Sequence, residues 1–327
     1  MTGPAGTTAG TERFRRLVSF GTVVVDIVAY VDALPPRGAD LLARRGLIDA
    51  GGARNVLAAA ARQGLSAAYA GLTGAGPMGD VARAALAAGG IEVLQPPHPG
   101  CDTGVCLALV EPDGERTFVT IVGAEGRLGR AAVRAIALGV EDAIHVSGYA
   151  LQHEPNREAV LDLLGDLDSG TAVFYDPGPL GHELDAETRD RVARRCTWWS
   201  GNSTEARAAT GCDDTESAAD SLAGSMPGTG IVVREGARGC LVRIPGESVV
   251  RVPGFAAHAV DTSGAGDTHL GVFIAAIARG FGPLDAARRA NAAAGLSVGR
   301  PGPAAAPTAD ELDEFLRSNA GRASNYG

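Results

Sequence analysis

Short apolar runs alternate along the chain with longer stretches in which alanine and leucine recur among arginine and glutamate. The run "LVSFGTVVV" at 17–25 has the length and β-branched content of a buried strand, and Asp26 follows it, where an open sheet presents side chains to a ligand. Residues 53–64 have helical composition, "SAAYAGL" returns to strand, and 80–88 returns to helix. Further strands are expected at "DAIHVSG", "TAVFYD", "CTWWS" and "GIVVRE", separated by Ala-rich or Arg/Glu-rich helical stretches. This alternation predicts βα units rather than an all-β or all-α domain.

Two regions interrupt the pattern. Residues 36–48 and 103–120 read as β ribbons added to the sheet as a lid, the second carrying a Pro-Asp-Gly turn between strand-like arms, "TGVCLALVEPDGERTFVT". Near the end, "RPGPAAAPTAD" stops one helix and leads into a last one around "ADELDEFLRS". With 327 residues and 45% hydrophobic content, the chain has enough apolar material for a large core. Trp198 and Trp199, at the end of an apolar strand, are expected to pack at the sheet edge.

Charge narrows the function. The 29 basic and 38 acidic residues give a net charge of -9, which argues against nucleic-acid or membrane partners while leaving room for a local phosphate pocket. Every basic residue is arginine, so a lysine Schiff base and the phosphate loop GxxxxGK[ST] are excluded. Cys101, Cys106, Cys196, Cys212 and Cys240 are odd in number and lack CxxC spacing, as expected of free thiols in a reducing compartment. The six histidines form no HExxH motif, and His269, two residues after Asp267, is expected to point along a different helix face. "MTGPAGTTAG" has no apolar signal core, so a cytoplasmic protein with a flexible tip at 1–11 is expected.

The stretch richest in chemistry is "DTSGAGDTHLGVF" at 261–273. Gly264, Ala265 and Gly266 let the main chain turn tightly and approach a ligand, and the N–H groups at the start of the following helix can accept a phosphoryl group. Asp267 in the same field could take the proton from an attacking hydroxyl, or it could simply cap the helix. Asn202 and Glu205, three apart at a helix start, suit a capping box and could also face one ligand. A competing signal, "GAGPMG" at 74–79, satisfies GxGxxG, with Glu92 placed as a ribose-binding acid would be. That nicotinamide reading leaves Asp267 and the Asn202/Glu205 pair without a role.

"DTSGAGDTHLGVF" resembles the C-terminal signature of the ribokinase-like, or PfkB, carbohydrate kinase family, and "AGGARNVLAAA" at 50–60 is similar to that family's Gly-Gly stretch followed by Asn and an Ala-rich helix. The resemblance runs in order from about Leu17 to Leu316. It implies an α/β fold with a doubly wound, mainly parallel sheet flanked by helices, a single kinase domain over 12–327, and lid segments at about 33–49 and 101–123. It further implies transfer of the ATP γ-phosphate to a hydroxyl of a small sugar, with a nucleoside as the nearer alternative. Asp267 falls on the catalytic base, Gly264, Ala265 and Gly266 on the anion hole, and Asp26, Gly51, Gly52 and Asn55 on the substrate side.

Asn202 and Glu205 match the family's Asn-x-x-Glu motif, which organises hydrated Mg2+, and "VVREGARG" at 232–239 resembles the turn beside ATP, bringing Arg234, Gly236 and Gly239 to the nucleotide. Arg234 stands where a small hydroxylated residue is common. Asn291 is expected to approach the nucleotide, and the backbone around Asp261 and Ser263, with the later loop near Ser297 and Gly299, corresponds to a monovalent-cation (K+) site found in many relatives. Arg54 and Arg116 are expected to face solvent, the alternatives being that Arg54 reads an anionic substrate and that Arg116 crosses into the closed site. The ribbons could pair two subunits into a homodimer. A sugar sensor that keeps Asp26 and Asn55 without turnover, and an NAD-dependent oxidoreductase, are the readings from other classes.

Overall fold

A computed structural model describes residues 13–302 and 305–320, so the expected tip at 1–11 lies outside the described residues. Along the chain run β1 (Arg16–Ser19), β2 (Val25–Tyr30), β3 (Arg45–Ala50), β4 (Ser66–Tyr69), β5 (Glu92–Val93), β6 (Val105–Val110) and β7 (Arg116–Ile121). They are followed by β8 (Asp142–Ser147), β9 (Val173–Asp176), β10 (Trp198–Asn202), β11 (Gly230–Arg234), β12 (Gly239–Arg243) and β13 (Val250–Pro253). Nine of these form one sheet in the order β13-β12-β11-β10-β9-β8-β1-β4-β5. It is parallel from β11 through β5, and only β12 and β13 run antiparallel. Strand order reverses between β1 and β8, so the crevice beyond their carboxyl ends is where an open sheet of this kind opens to a ligand.

The carboxyl ends of four neighbouring strands carry polar side chains in register: Ser147 on β8 pairs with Asp176 on β9, and Asn202 on β10 pairs with Arg234 on β11. Apolar residues fill the strand interiors. Alternation places Trp198 against one helical layer, where it meets Phe273 edge-on at 5.0 Å, and Trp199 in the opposite layer with Ile144 and Leu161. Both tryptophans are buried, but at the start of an interior strand and not at the sheet edge that the sequence pattern predicts.

The remaining strands form a separate sheet in the order β3-β2-β6-β7. This corrects the reading of 17–25 as one strand: β1 stops at Ser19, and Val25 opens β2 in the small sheet. Within the break the chain at Gly21 runs close against α1, where a Cβ would stand 2.7 Å from Ala53 Cβ. Asp26 therefore sits on the small sheet and not at the end of β1. The 33–49 segment contributes strand only from Arg45, because Pro35, Pro36 and Gly38 interrupt the run before it. The 101–123 segment supplies the hairpin β6–β7 around its Pro-Asp-Gly turn, with the Gly114 N–H donating to the Glu111 carbonyl at 2.9 Å.

The helices that matter for the site are α1 (Ala53–Arg62), α2 (Pro77–Ala88), α3 (Ser203–Thr210), α4 (Ala265–Ala278) and α5 (Pro283–Val298). At the start of α2, the N–H groups of Met78 and Gly79 donate to the Asp102 carboxylate at 3.0 and 2.7 Å. The GxGxxG turn thus binds an anion of its own chain, and a Cβ on Gly76 would collide with Asp102 Cγ at 2.5 Å. No place is left there for a dinucleotide's pyrophosphate, which removes the nicotinamide reading. Among the described residues no helix is long and apolar enough to cross a membrane.

Helix α4 is buried nearly all round and lies against α1 at backbone contact: a Cβ on Gly271 would come within 2.4 Å of the Val56 carbonyl oxygen. Overpacking of this kind forces helices apart. Gly271→Val is expected to destabilise the fold by about 2–3 kcal/mol, measured as a lower urea midpoint with an unchanged slope.

Candidate active site

The turn Thr262–Gly264 ends with Gly264 in the left-handed region, at φ 67°, and α4 begins at Ala265. The first N–H groups of a helix have no intrahelical partner, and the helix dipole adds positive potential there. Asp267 stands in this first turn, and Asn55 on α1 donates from Nδ2 to its Oδ2 at 3.0 Å. Burial pushes the Asp267 carboxyl up to about 6, against the opposing pull of the Asn55 hydrogen bond.

Across the cavity, Asp26 is also pushed up to about 6, first by burial and then by the negative charges of Asp267 and Asp49. Gly51 and Gly52 make room for it. A Cβ on Gly51 would stand 2.1 Å from Asp26 Oδ2, and Gly52 holds φ 65°, where a Cβ would stand 2.3 Å from the Thr22 carbonyl oxygen. Gly52 lines a cavity of about 610 Å3 between the small sheet and the large one, walled by Asp26, Asn55, Tyr149, Glu205 and Asp267, whereas Gly51 lies against the Asp26 carboxylate and not on the cavity wall.

A second cavity, of about 240 Å3, lies over the carboxyl ends of β8 to β11 and contains Ser147, Asp176, Asn202 and Arg234. The two share Gly264 and Asp267, so they meet at the start of α4. Asn202 and Glu205 complete a capping box on α3, with bonds of 2.9 and 2.7 Å. Burial raises the Glu205 carboxyl and Asp176 raises it further, whereas Arg234 draws it down. Arg234 is no surface residue. Its guanidinium donates to Ser200 Oγ at 2.9 Å, lies 3.4 Å from Asp176 and 3.6 Å from Glu205, and passes beneath Gly266.

Several expected positions fall elsewhere. Gly236 and Gly239 line neither cavity; Gly239 lies at the β12 hairpin, where a Cβ would meet the Val252 carbonyl at 2.2 Å. Asn291 is also away from both cavities, because its amide is committed to packing: Nδ2 donates to the Val252 and Pro253 carbonyls, and Oδ1 lies 3.1 Å from His269 Nε2. His269 is driven down to about 3 by burial and stays neutral.

Arg54 does not face solvent: it lies 3.4 Å from Asp49 and donates to the Ala50 carbonyl. Arg116 also leaves solvent and reaches Asp261 at 3.0 Å. Asp261 and Val260 donate backbone N–H groups to the Val298 carbonyl, which brings the two loops of the expected K+ site together. The Asp261 carboxylate is, however, already engaged by the Ser263 N–H and hydroxyl, the Gly302 N–H and Arg116, and the Ser297 hydroxyl donates to Ala294. Gly299 caps α5. Asp261 Oδ1 thus takes three of these bonds and Oδ2 one, from Gly302, so the carboxylate ties the two loops together.

Among the cavity residues that escaped the sequence reading are Asp176 and Tyr149. Asp176 closes an apolar strand, and a polar residue at that carboxyl edge was the available signal. Tyr149 had none; it walls both cavities, with its phenol raised to about 12 mainly by burial.

A family model described as pfkB family carbohydrate kinase matches residues 15–310. The chain belongs to the PfkB family. Among its relatives, the uncharacterized sugar kinase YegV of Escherichia coli K12 is 33% identical over 304 residues, covering 89% of this chain and 91% of that one. The ATP-dependent ribose-1-phosphate kinase of Halopiger xanaduensis is 29% identical, covering 92% and 98%. The ribokinase structure from Giardia lamblia superposes with a TM-score of 0.80 at 22% identity, covering 94% of this chain and 99% of that one. As a member of the pfkB family of carbohydrate kinases, the chain is a kinase of that class.

The raised carboxyl at Asp267 has a thermodynamic consequence. The folded state holds this proton more tightly than the unfolded chain, so stability falls as pH rises from the ordinary carboxyl range through about 6. Asp267→Asn is expected to match the parent protein near pH ~4 and to become progressively more stable than it toward pH ~8, read by urea titration across that range.

Proposed function

We propose that this PfkB protein transfers the γ-phosphoryl group of ATP to a hydroxyl of a small sugar. The observation that carries the reading is the meeting of two cavities at Gly264–Asp267, one suited to an acceptor and the other to a polyphosphate. The acceptor lies against Asp26 and Asn55, with its reactive hydroxyl turned toward Asp267. The hydroxyl oxygen attacks phosphorus, Asp267 takes its proton, the bond from phosphorus to the β-phosphate oxygen breaks, and ADP departs. The N–H groups at Gly264, Ala265 and Gly266 hold the phosphoryl oxygens as charge develops.

The donor set fits a hydrated magnesium ion. Glu205 and Asp176 offer hard oxygens beside the phosphate cavity, and Mg2+ characteristically keeps water between itself and one or two carboxylates. When bound, Mg2+ neutralises phosphate charge. Arg234 adds a fixed cation beneath the same turn, and Asn202 holds Glu205 in place.

The small sheet roofs the acceptor cavity and excludes water, against which a phosphoryl donor would otherwise be lost. Its outer face exposes Ile48, Val119 and Ile121, each more than half accessible, and this supports pairing of two copies through it. We treat 12–327 as one kinase domain and place the protein in the cytoplasm.

The test is ADP release with purified protein, ATP, Mg2+ and a panel of sugars and nucleosides. Asp267→Asn is expected to lower kcat by ~10²–10⁴-fold while leaving acceptor affinity, measured separately by calorimetry, within a few-fold. Near-parental turnover in that variant sinks the assignment. For the parent protein, kcat should decline as pH falls through about 6, because the protonated Asp267 cannot accept the hydroxyl proton.

A further inference from the structure

The cavity over β8 to β11 carries unbalanced charge. Asp176, Glu205 and Asp267 line it with three carboxylates, and Arg234 is the arginine set among them. His145 lines it as well, but burial drives this imidazole down to about 4, so it adds no charge at ordinary pH, and its buried Nε2 has no partner. Each carboxylate already accepts from one neutral donor: the Gly178 N–H at 2.9 Å for Asp176, the Asn202 N–H at 2.7 Å for Glu205 and the Asn55 amide at 3.0 Å for Asp267. Neutral donors orient these groups without cancelling their charge, which falls to the guanidinium.

Arg234 lies 3.4 Å from Asp176 and 3.6 Å from Glu205, with its side chain 12% exposed. Burial works against its charge, but the attraction of Asp176, Glu205 and Asp267 outweighs that cost, and a guanidinium has no neutral form to retreat to. A permanent cation therefore stands between the two carboxylates that offer oxygens to a hydrated metal. Among the described residues no group of three or more His, Cys, Asp or Glu side chains is arranged to hold a metal ion. A free divalent cation approaching this cluster is repelled by the guanidinium at short range and in a poorly hydrated setting, where charges act strongly. The complex of Mg2+ with ATP is an anion overall, and the same guanidinium attracts it.

Resting on the kinase reading above, we propose that Arg234 is a positioning residue, the resident counterion of Asp176 and Glu205, which keeps free Mg2+ out of the cluster and admits the metal only as its complex with the nucleotide. The order of arrival is thereby built into the site: metal and phosphate enter together.

The experiment follows thermal unfolding of the purified protein in metal-free buffer, in millimolar MgCl2, and in MgCl2 with a non-hydrolysable ATP analogue, all at one ionic strength. The parent protein should be stabilised by the analogue with Mg2+ and shifted by less than ~1 °C by Mg2+ alone. Arg234→Gln should unfold at a lower temperature without metal, and Mg2+ alone should return about 2–4 °C to it. Arg234→Lys, which keeps a cation, should share the parent's indifference to free Mg2+. Equal responses to Mg2+ alone in the parent and in Arg234→Gln overturn the inference. So does a parent stabilised as much by Mg2+ alone as by Mg2+ with the analogue, a comparison that stands even where Arg234→Gln fails to fold. Either result leaves the kinase reading intact, whereas a parent unmoved by the analogue with Mg2+ that also turns over no acceptor defeats that reading itself.

Discussion

The backbone contact between α1 and α4 at Gly271 is the constraint on which the site depends. It lets two helices that lie far apart in sequence approach closely enough for Asn55 to reach Asp267 with a 3.0 Å hydrogen bond. The acceptor-side amide and the carboxylate at the phosphate turn are thereby fixed to one another by the core and not by a flexible loop. Groups held this way need little reorganisation when reactants arrive, which is the condition under which proximity and fixed dipoles lower a barrier.

Electrostatics then follow from crowding. Asp26, Asp176, Glu205 and Asp267 converge from β2, β9, α3 and α4, and Arg234 is the cation lodged among the last three. Removal from water raises Asp26, Glu205 and Asp267, and repulsion from neighbouring carboxylates adds to the effect at all three. Such accumulated negative charge suits a site that receives a magnesium-complexed polyphosphate, because the incoming cation meets carboxylates whose hydration has already been surrendered.

Much of this was legible in the sequence, for physical reasons. Apolar runs at "DAIHVSG", "TAVFYD" and "GIVVRE" specified buried parallel strands because both faces of such strands must be covered. The small residues before α4 marked a turn that only they allow. What failed were positions whose partners are distant. The strand status of Asp26 depended on pairing with Asp49 and Cys106, strands that come later in the chain, and the commitment of Asn291 depended on carbonyls of β13. Arg54 and Arg116 looked solvated because Asp49 and Asp261 come into reach only through the fold. The GxGxxG motif misled in an instructive way: its turn does receive an anion, but Asp102 supplies it from within.

Asp261 draws together groups that seem to have separate tasks. One carboxylate gathers Ser263 from the loop that leads into the phosphate turn, Gly302 from beyond α5 and Arg116 from the roof over the acceptor. The roof and the floor of the catalytic crevice are consequently tethered through a single shared anion. A displacement of the roof that carried Arg116 away would remove from Asp261 the one cation that balances its charge among these contacts.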